Sequence, residues 1–374
     1  MSDGIAILQF GTSRFLLAHV DLFVSEAMER GEVIGGIAVV QTTASGESAA
    51  RIAALRSEKS YPVRIRGIEG GRVLDETRRG NAIREALTAA GDWRRIRALA
   101  RDVAVIVSNT GDRGFELAAE DGPAALAPDA PPPRSYPAKL LVLLADRWRA
   151  GVEVPLSLFP CELVERNGDR LRALVVQLSD DWQLPGAFRD WLAATCRFAN
   201  SLVDRIVAEP IAPVGAVAEP YALWAIEAQP GLVLPCRHEA ILVTEDLERI
   251  ARLKLHLLNL GHTYLAERWL QDGRAADETV REAMEDPALR ADLEALWVDE
   301  VRPVFAADGM GEEADRYLAS VRERFANPFL RHRIADIAAN HEAKKARRLA
   351  PVRDRGRALG LAARQPRLAG ALGG

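Results

Sequence analysis

The first half of the chain alternates two hydrophobic rhythms. GIAILQF (4–10) and GIAVVQ (36–41) are short, nearly unbroken apolar runs rich in β-branched residues, as expected of strands buried on both faces. Between them SRFLLAHVDLFVSEAMER repeats its apolar positions at helical spacing. VAVIVS (103–108) and VPLSLF (154–159) read as strands, separated by a Pro-rich loop (127–137) and the helical KLLVLLADRW. LVDRIV (202–207) and ALWAIE (222–227) predict two more strands, in a stretch interrupted by Pro210, Pro213 and Pro220. Strands separated by helices imply a mostly parallel sheet covered on both faces. After about residue 240 the texture changes, and segments from DLERIARLKLHLLNLGHTYLAERWL to LRHRIADIAANHEAKKARRL are amphipathic with a helical period. The expected fold is an α/β domain over 1–240 followed by an all-α domain over 241–374.

Composition narrows the class. The chain has 374 residues, 48% of them apolar and 27% charged, which suits two globular cores and excludes disordered, collagen-like or disulfide-stapled classes. No apolar run reaches the roughly 18 residues of a membrane span, and MSDGIAILQFG carries no secretory leader. Cys161, Cys196 and Cys236 lie 35 and 40 residues apart, which makes neither a redox pair nor a zinc knuckle. Their odd number fits a reducing cytoplasm, the expected location. The six histidines contain no HExxH or HxH pair, so no metal is expected, and neither a phosphate-binding P-loop nor a G-x-S-x-G elbow occurs.

Charge adds two details. Only five of the 49 cationic residues are lysines (Lys59, Lys139, Lys254, Lys344 and Lys345), so each is a hint that an ammonium specifically is needed. Residues 324–374 carry a net charge of +9, leaving −13 for the remainder. That basic stretch can face nucleic acid, an anionic substrate or the protein's own acidic part. The absence of aromatic interleaving and of a recognised motif argues against nucleic acid.

Three segments carry candidate chemistry. GTSRF (11–15) follows the first strand and opens a helix, where a dinucleotide-binding domain places its phosphate turn, although only Gly11 of the three-glycine fingerprint is present. Gln41, followed by Thr42 and Thr43, stands at the end of the second strand in place of a carboxylate that would select NAD, which leaves NAD and NADP both open. SNTGDRG (108–114) ends another strand and is positioned to line the same cleft. In LKLHLLNLGHT (253–263), Lys254, Asn259 and His262 are spaced K-x4-N-x2-H. At 100° per residue the asparagine lies about 140° and the histidine about 80° around from the lysine, so the three share one side of a helix. Desolvation lowers a lysine's pKa toward neutrality, an amide can donate to an alkoxide, and a neutral imidazole can orient a hydroxyl. Together they form a set for metal-free alcohol oxidation. The alternative is a boundary helix with a snorkelling lysine.

The order of ILQFGTSRF, VSNTGDRG, SYPAKL, PCELVERNGD, NSLVDRIV, LKLHLLNLGHT and RFANPFLRH along the chain resembles the mannitol dehydrogenase family, the polyol-specific long-chain dehydrogenases, over nearly its whole length. Within that family the phrasing is most similar to the branch acting on tagaturonate and altronate. The resemblance implies a Rossmann-like NAD domain (1–240) and a helical substrate-binding and catalytic domain (241–374), shortened at its C-terminus relative to the family. It implies that Lys254 is the general acid/base, Asn259 the oxyanion stabiliser and His262 a substrate ligand. Phe10, Gly11, Thr12, Ser13, Arg14, Phe15, Gln41, Ser108, Asn109 and Thr110 are the expected cofactor contacts. Cys161, Glu162, Arg331, His332 and Lys344 are the expected substrate contacts. Polyol-oxidising members carry an asparagine where this chain has Leu163, which points away from mannitol. The expected substrate is a sugar acid or polyol, with no nucleic-acid or membrane partner and the oligomeric state open. A polyol or polyol-phosphate dehydrogenase, and a dinucleotide-binding sensor or partner subunit without turnover, are the alternatives.

Overall fold

A computed structural model describes residues 4–42, 46–111 and 113–373; Thr43 and Asp112 of the segments above lie outside them. The chain forms two compact units. The first comprises Met1–Ile65, Glu76–Ala218 and Ala222–Leu247, and the second Arg66–Asp75, Glu219–Tyr221 and Glu248–Gly374.

The strands are β1 (Ile5–Phe10), β2 (Gly36–Gln41), β3 (Tyr61–Glu69), β4 (Arg72–Gly80), β5 (Ile83–Thr88), β6 (Val105–Ser108), β7 (Leu156–Pro160), β8 (Cys196–Phe198), β9 (Ser201–Asp204), β10 (Val207–Pro210), β11 (Ala216–Ala218), β12 (Leu223–Glu227) and β13 (Ile241–Thr244). Six form one sheet in the order β5-β2-β1-β6-β7-β8, every neighbouring pair parallel. Taken in chain order within that sheet the sequence is 3-2-1-4-5-6, so the chain reverses its direction of travel at the β1–β6 crevice, where such folds bind dinucleotides. Parallel neighbours need crossovers, and Val20–Glu29, Trp93–Asp102, Tyr136–Arg149 and Asn167–Asp181 are among the helices that provide them. Leu8, Val40, Ile106 and Leu158 of the sheet share a buried core with Ile96, Leu140, Leu144 and Val175 of the helices. Smaller sheets run β10-β11-β3-β4 and β13-β12-β9.

The strands read from apolar runs are present at β1, β2, β6, β7, β9 and β12. The β3 and β4 segments carry a weaker signal. β3 alternates buried and more open positions, and β4 (RVLDETRRG) is mostly exposed, so pairing rather than burial defines it. β13 falls just beyond residue 240, in the region expected to be helical.

From Glu248 onward the second unit is helical, around a core that includes Leu257, Leu260, Trp297, Phe305, Leu318, Phe325, Leu349 and Leu368. Two of its helices contain wider, π-type turns, at Lys254–Leu258 and Leu296–Val301. Among the described residues no helix is long and apolar enough to cross a membrane.

Candidate active site

In the first unit, the expected cofactor residues gather at the carboxyl ends of β1, β2 and β6. Gly11 has φ +114°, and a Cβ there would lie 2.3 Å from the Asn109 carbonyl oxygen, so only glycine permits this approach of the two strand ends. The Gly11 N–H donates to the Val40 carbonyl (3.0 Å) and the Asn109 N–H to that of Phe10 (2.9 Å). Ser13 caps the short helix that follows, its Oγ accepting from the Leu16 N–H. Phe10 is buried with its ring 5.2 Å from that of Tyr136, Thr12 is buried, Arg14 is exposed, and Phe15 stacks on His19. Gln41 is buried at the tip of β2. A pocket of about 410 Å³ is lined by Thr42, Thr110, Arg113 and Tyr136. A glycine-dependent turn at the crevice, with a pocket of mixed polar and apolar lining alongside, suits a dinucleotide.

Cys161 and Glu162 are turned to internal bonding. Cys161 is buried, and burial pushes its thiol well above the usual range. The buried Glu162 carboxylate accepts from Ser108 Oγ (3.0 Å), Thr110 N–H (2.9 Å) and Thr110 Oγ1 (2.9 Å). Asn109 Nδ2 donates to the Cys161 carbonyl (2.8 Å), so residues 108–110 are tied to the end of β7. Leu163 is 75% exposed.

Below the Gly11 turn lies a buried polar pair that hydropathy did not single out. Gln9 Nε2 donates to the Gly11 carbonyl (3.3 Å) and to Asp21 Oδ2 (3.2 Å), both side chains being inaccessible. Burial raises the Asp21 carboxyl to about 8. The folded chain therefore holds a proton that an unfolded carboxylate releases near its ordinary value of 3.8. Asp21's contribution to stability is most favourable below that value and falls as the pH rises to about 8. Urea titrations from pH 5 to 8 should give a steeper loss of stability in the wild type than in Asp21→Asn. The excess is at most about 1.4 kcal/mol per pH unit. Equal slopes would mean that Asp21 is ionised in the folded state.

In the second unit the helix Leu247–Leu253 widens at Lys254 and resumes α geometry over Asn259–Asp272. The Asn259 N–H donates to the carbonyls of both Lys254 and Leu255. A turn closed by i→i+5 bonds has more residues per turn than an α-helix, so positions five apart are separated by a smaller angle around the axis. Lys254 and Asn259 thus come closer together around the helix axis than 100° counting places them. The Leu257 carbonyl within the wide turn accepts from Trp297 Nε1 (3.1 Å). The indole fits there because residue 261 is glycine; a Cβ would stand 2.5 Å from its ring. His256 Nδ1 donates to the Arg348 carbonyl (3.0 Å).

His262 is buried, stacked on Phe325 (4.3 Å between centroids), with His332 edge-on at 4.9 Å. Burial above all, then His332, Arg324 and Arg348, holds its pKa well below the ordinary value, so the imidazole is neutral. Arg324 is itself fixed by a two-pronged pair with Glu219 (2.8 and 3.0 Å). Of the expected substrate contacts in this unit, His332 joins His262. The Lys344 Nζ donates to the Ile337 carbonyl (2.7 Å), and Arg331 is exposed. Arg324 and Arg348 were not among the expected contacts, although Arg324 opens the RFANPFLRH motif and Arg348 lies in the basic stretch.

Comparison with known proteins gives a consistent result. Residues 5–232 match the mannitol dehydrogenase Rossmann domain and residues 246–365 the mannitol dehydrogenase C-terminal domain. An altronate oxidoreductase of Klebsiella pneumoniae subsp. pneumoniae is 30% identical over 370 residues, covering 92% of this chain and 74% of that protein. One from Halalkalibacterium halodurans is 30% identical over 367 residues, covering 92% and 69%. A substrate-free D-sorbitol dehydrogenase superimposes with a TM-score of 0.79 at 22% identity, over 95% of this chain and 77% of that one. Pseudomonas fluorescens mannitol 2-dehydrogenase, solved as a ternary complex with NAD and D-mannitol, gives 0.73 at 18%, over 98% and 78%. These two structures share the fold. With its parallel 3-2-1-4-5-6 sheet and a following helical unit, and with both family domains matched in order, the chain belongs to the mannitol dehydrogenase family.

Proposed function

We propose that this protein is an NAD-dependent oxidoreductase of the cytoplasm that interconverts a ketouronic acid and an aldonic acid, of the tagaturonate/altronate type. The observation that carries the reading is the wide turn that draws Lys254 toward Asn259 on the helix that also carries the neutral His262. The altronate oxidoreductases matched over 92% of the chain support the substrate class.

In this reading region 1–240 holds the dinucleotide, and Gly11, Thr12, Ser13, Gln41 and Ser108–Thr110 are its principal contacts. When bound, the nicotinamide ring supplies or accepts the hydride. Lys254 returns a proton to the carbonyl oxygen during reduction and removes it from the hydroxyl during oxidation. The Asn259 amide donates to the same oxygen as negative charge develops there. Neutral His262 orients a neighbouring substrate hydroxyl, with His332 beside it. Glu162 acts on the cofactor side, by holding the 108–110 turn. Gln41 carries no charge to repel a 2′-phosphate, so NADP is tested with NAD.

The test is loss of NADH or NADPH absorbance with tagaturonate, fructuronate, fructose and fructose 6-phosphate. Turnover is expected with a ketouronate and not with fructose. Turnover of fructose alone would assign the protein to polyols, and NADH binding without any turnover would favour a sensor.

A further inference from the structure

We infer that Arg348 and Lys344 form the site for the substrate's carboxylate, one helical turn from Asn259; the inference rests on the ketouronate reading above. Most arginines of the second unit are matched to acids. Arg249 pairs with Glu313, Arg274 with Glu278 and Asp286, Arg322 with Glu294, Arg324 with Glu219 and Arg367 with Asp292. Arg348 and Lys344 have neutral oxygens instead. Arg348 Nη1 donates to Thr263 Oγ1 (3.0 Å) and approaches the Asn259 carbonyl (3.5 Å), while Lys344 Nζ donates to the Ile337 carbonyl. Neither lies within 4.0 Å of a carboxylate among the described residues.

Both side chains are half-buried on the same helix, His341–Arg348, and four residues apart they share one of its faces. Two neighbouring cations partly withdrawn from water repel one another, and an anion placed with them relieves both the repulsion and the lost hydration. Their charge is felt at the site: Arg348 is among the groups that keep His262 neutral, and it lowers the pKa of Lys344. Thr263 follows His262 directly and stands one turn, about 5.4 Å, beyond Asn259. That offset matches a keto acid whose carboxylate is a few carbons from its carbonyl. A guanidinium also suits two-pronged carboxylate binding, which a neutral polyol cannot use.

The experiment is calorimetric titration with D-gluconate, D-sorbitol and inorganic phosphate, in the presence of NAD, of wild type, Arg348→Gln, Arg348→Lys and Lys344→Met. Circular dichroism confirms folding of each variant. Gluconate should bind the wild type more tightly than sorbitol or phosphate. Arg348→Gln should weaken gluconate by about 30-fold or more, with Arg348→Lys recovering part of the loss and sorbitol unaffected. Gluconate affinity equal in wild type and Arg348→Gln would overturn the assignment. So would sorbitol or phosphate binding as tightly as gluconate, or no binding of gluconate at all. Arg348-dependent gluconate binding without turnover of any ketouronate would uphold the anion site while removing the reductase reading.

Discussion

Replacing Lys254 with methionine lowers kcat for ketouronate reduction by about 10³-fold, within the range expected for removing a general acid. Methionine keeps an unbranched apolar stem and a good helix propensity. The bonds made at this turn by Asn259 N–H, Trp297 Nε1 and His256 Nδ1 come from other residues and remain available in the variant. NADH affinity, followed by fluorescence, should be unchanged, because the proposed dinucleotide contacts belong to the first unit. Added methylamine should restore part of the rate by supplying a proton donor to the space left behind. A loss below tenfold in a folded variant would remove Lys254 from the chemistry.

The largest stability effect is expected at Glu219 and Arg324. Their side chains are 1% and 3% exposed, and the guanidinium also lies 4.4 Å from the centroid of the Tyr221 ring. Glu219→Gln leaves a buried guanidinium facing a neutral amide, and Arg324→Met leaves a buried carboxylate without its partner. Breaking such a pair from one side costs about 3–5 kcal/mol. The double variant Arg324→Met, Glu219→Leu should recover much of that loss, because neither charge remains to be desolvated. Denaturant titration of the three variants measures this. Single-variant losses below about 1 kcal/mol, the usual size for an exposed pair, would show that water reaches the site.

The parts of the fold legible in the sequence were those in which burial alone determines the pattern. β1 and β2 lie mostly buried in a parallel sheet, so their residues read as continuous apolar runs. β4 is polar because most of its residues are exposed, and hydropathy carries no trace of its pairing. The spacing of Lys254, Asn259 and His262 was visible, but the wide turn that brings the first two closer around the helix axis was not. Its Leu257 carbonyl is satisfied by Trp297, 40 residues further on. Of the five lysines, Lys139, Lys254, Lys344 and Lys345 are at least half-buried and Lys59 is exposed. The place of Glu162 at a strand end suggested a ligand contact, whereas its carboxylate bonds to Ser108 and Thr110, a use that only the juxtaposition of β6 and β7 reveals.

Hydride transfer to a ketouronate is tested most directly by following an isotope. The wild type would be incubated with NADH deuterated at nicotinamide C4 and tagaturonate, and the product examined by mass spectrometry and NMR. The expected product is an aldonate carrying one deuterium on the carbon that was the ketone. Recovery of tagaturonate unlabelled and unreduced by the folded, NADH-binding protein would contradict hydride transfer.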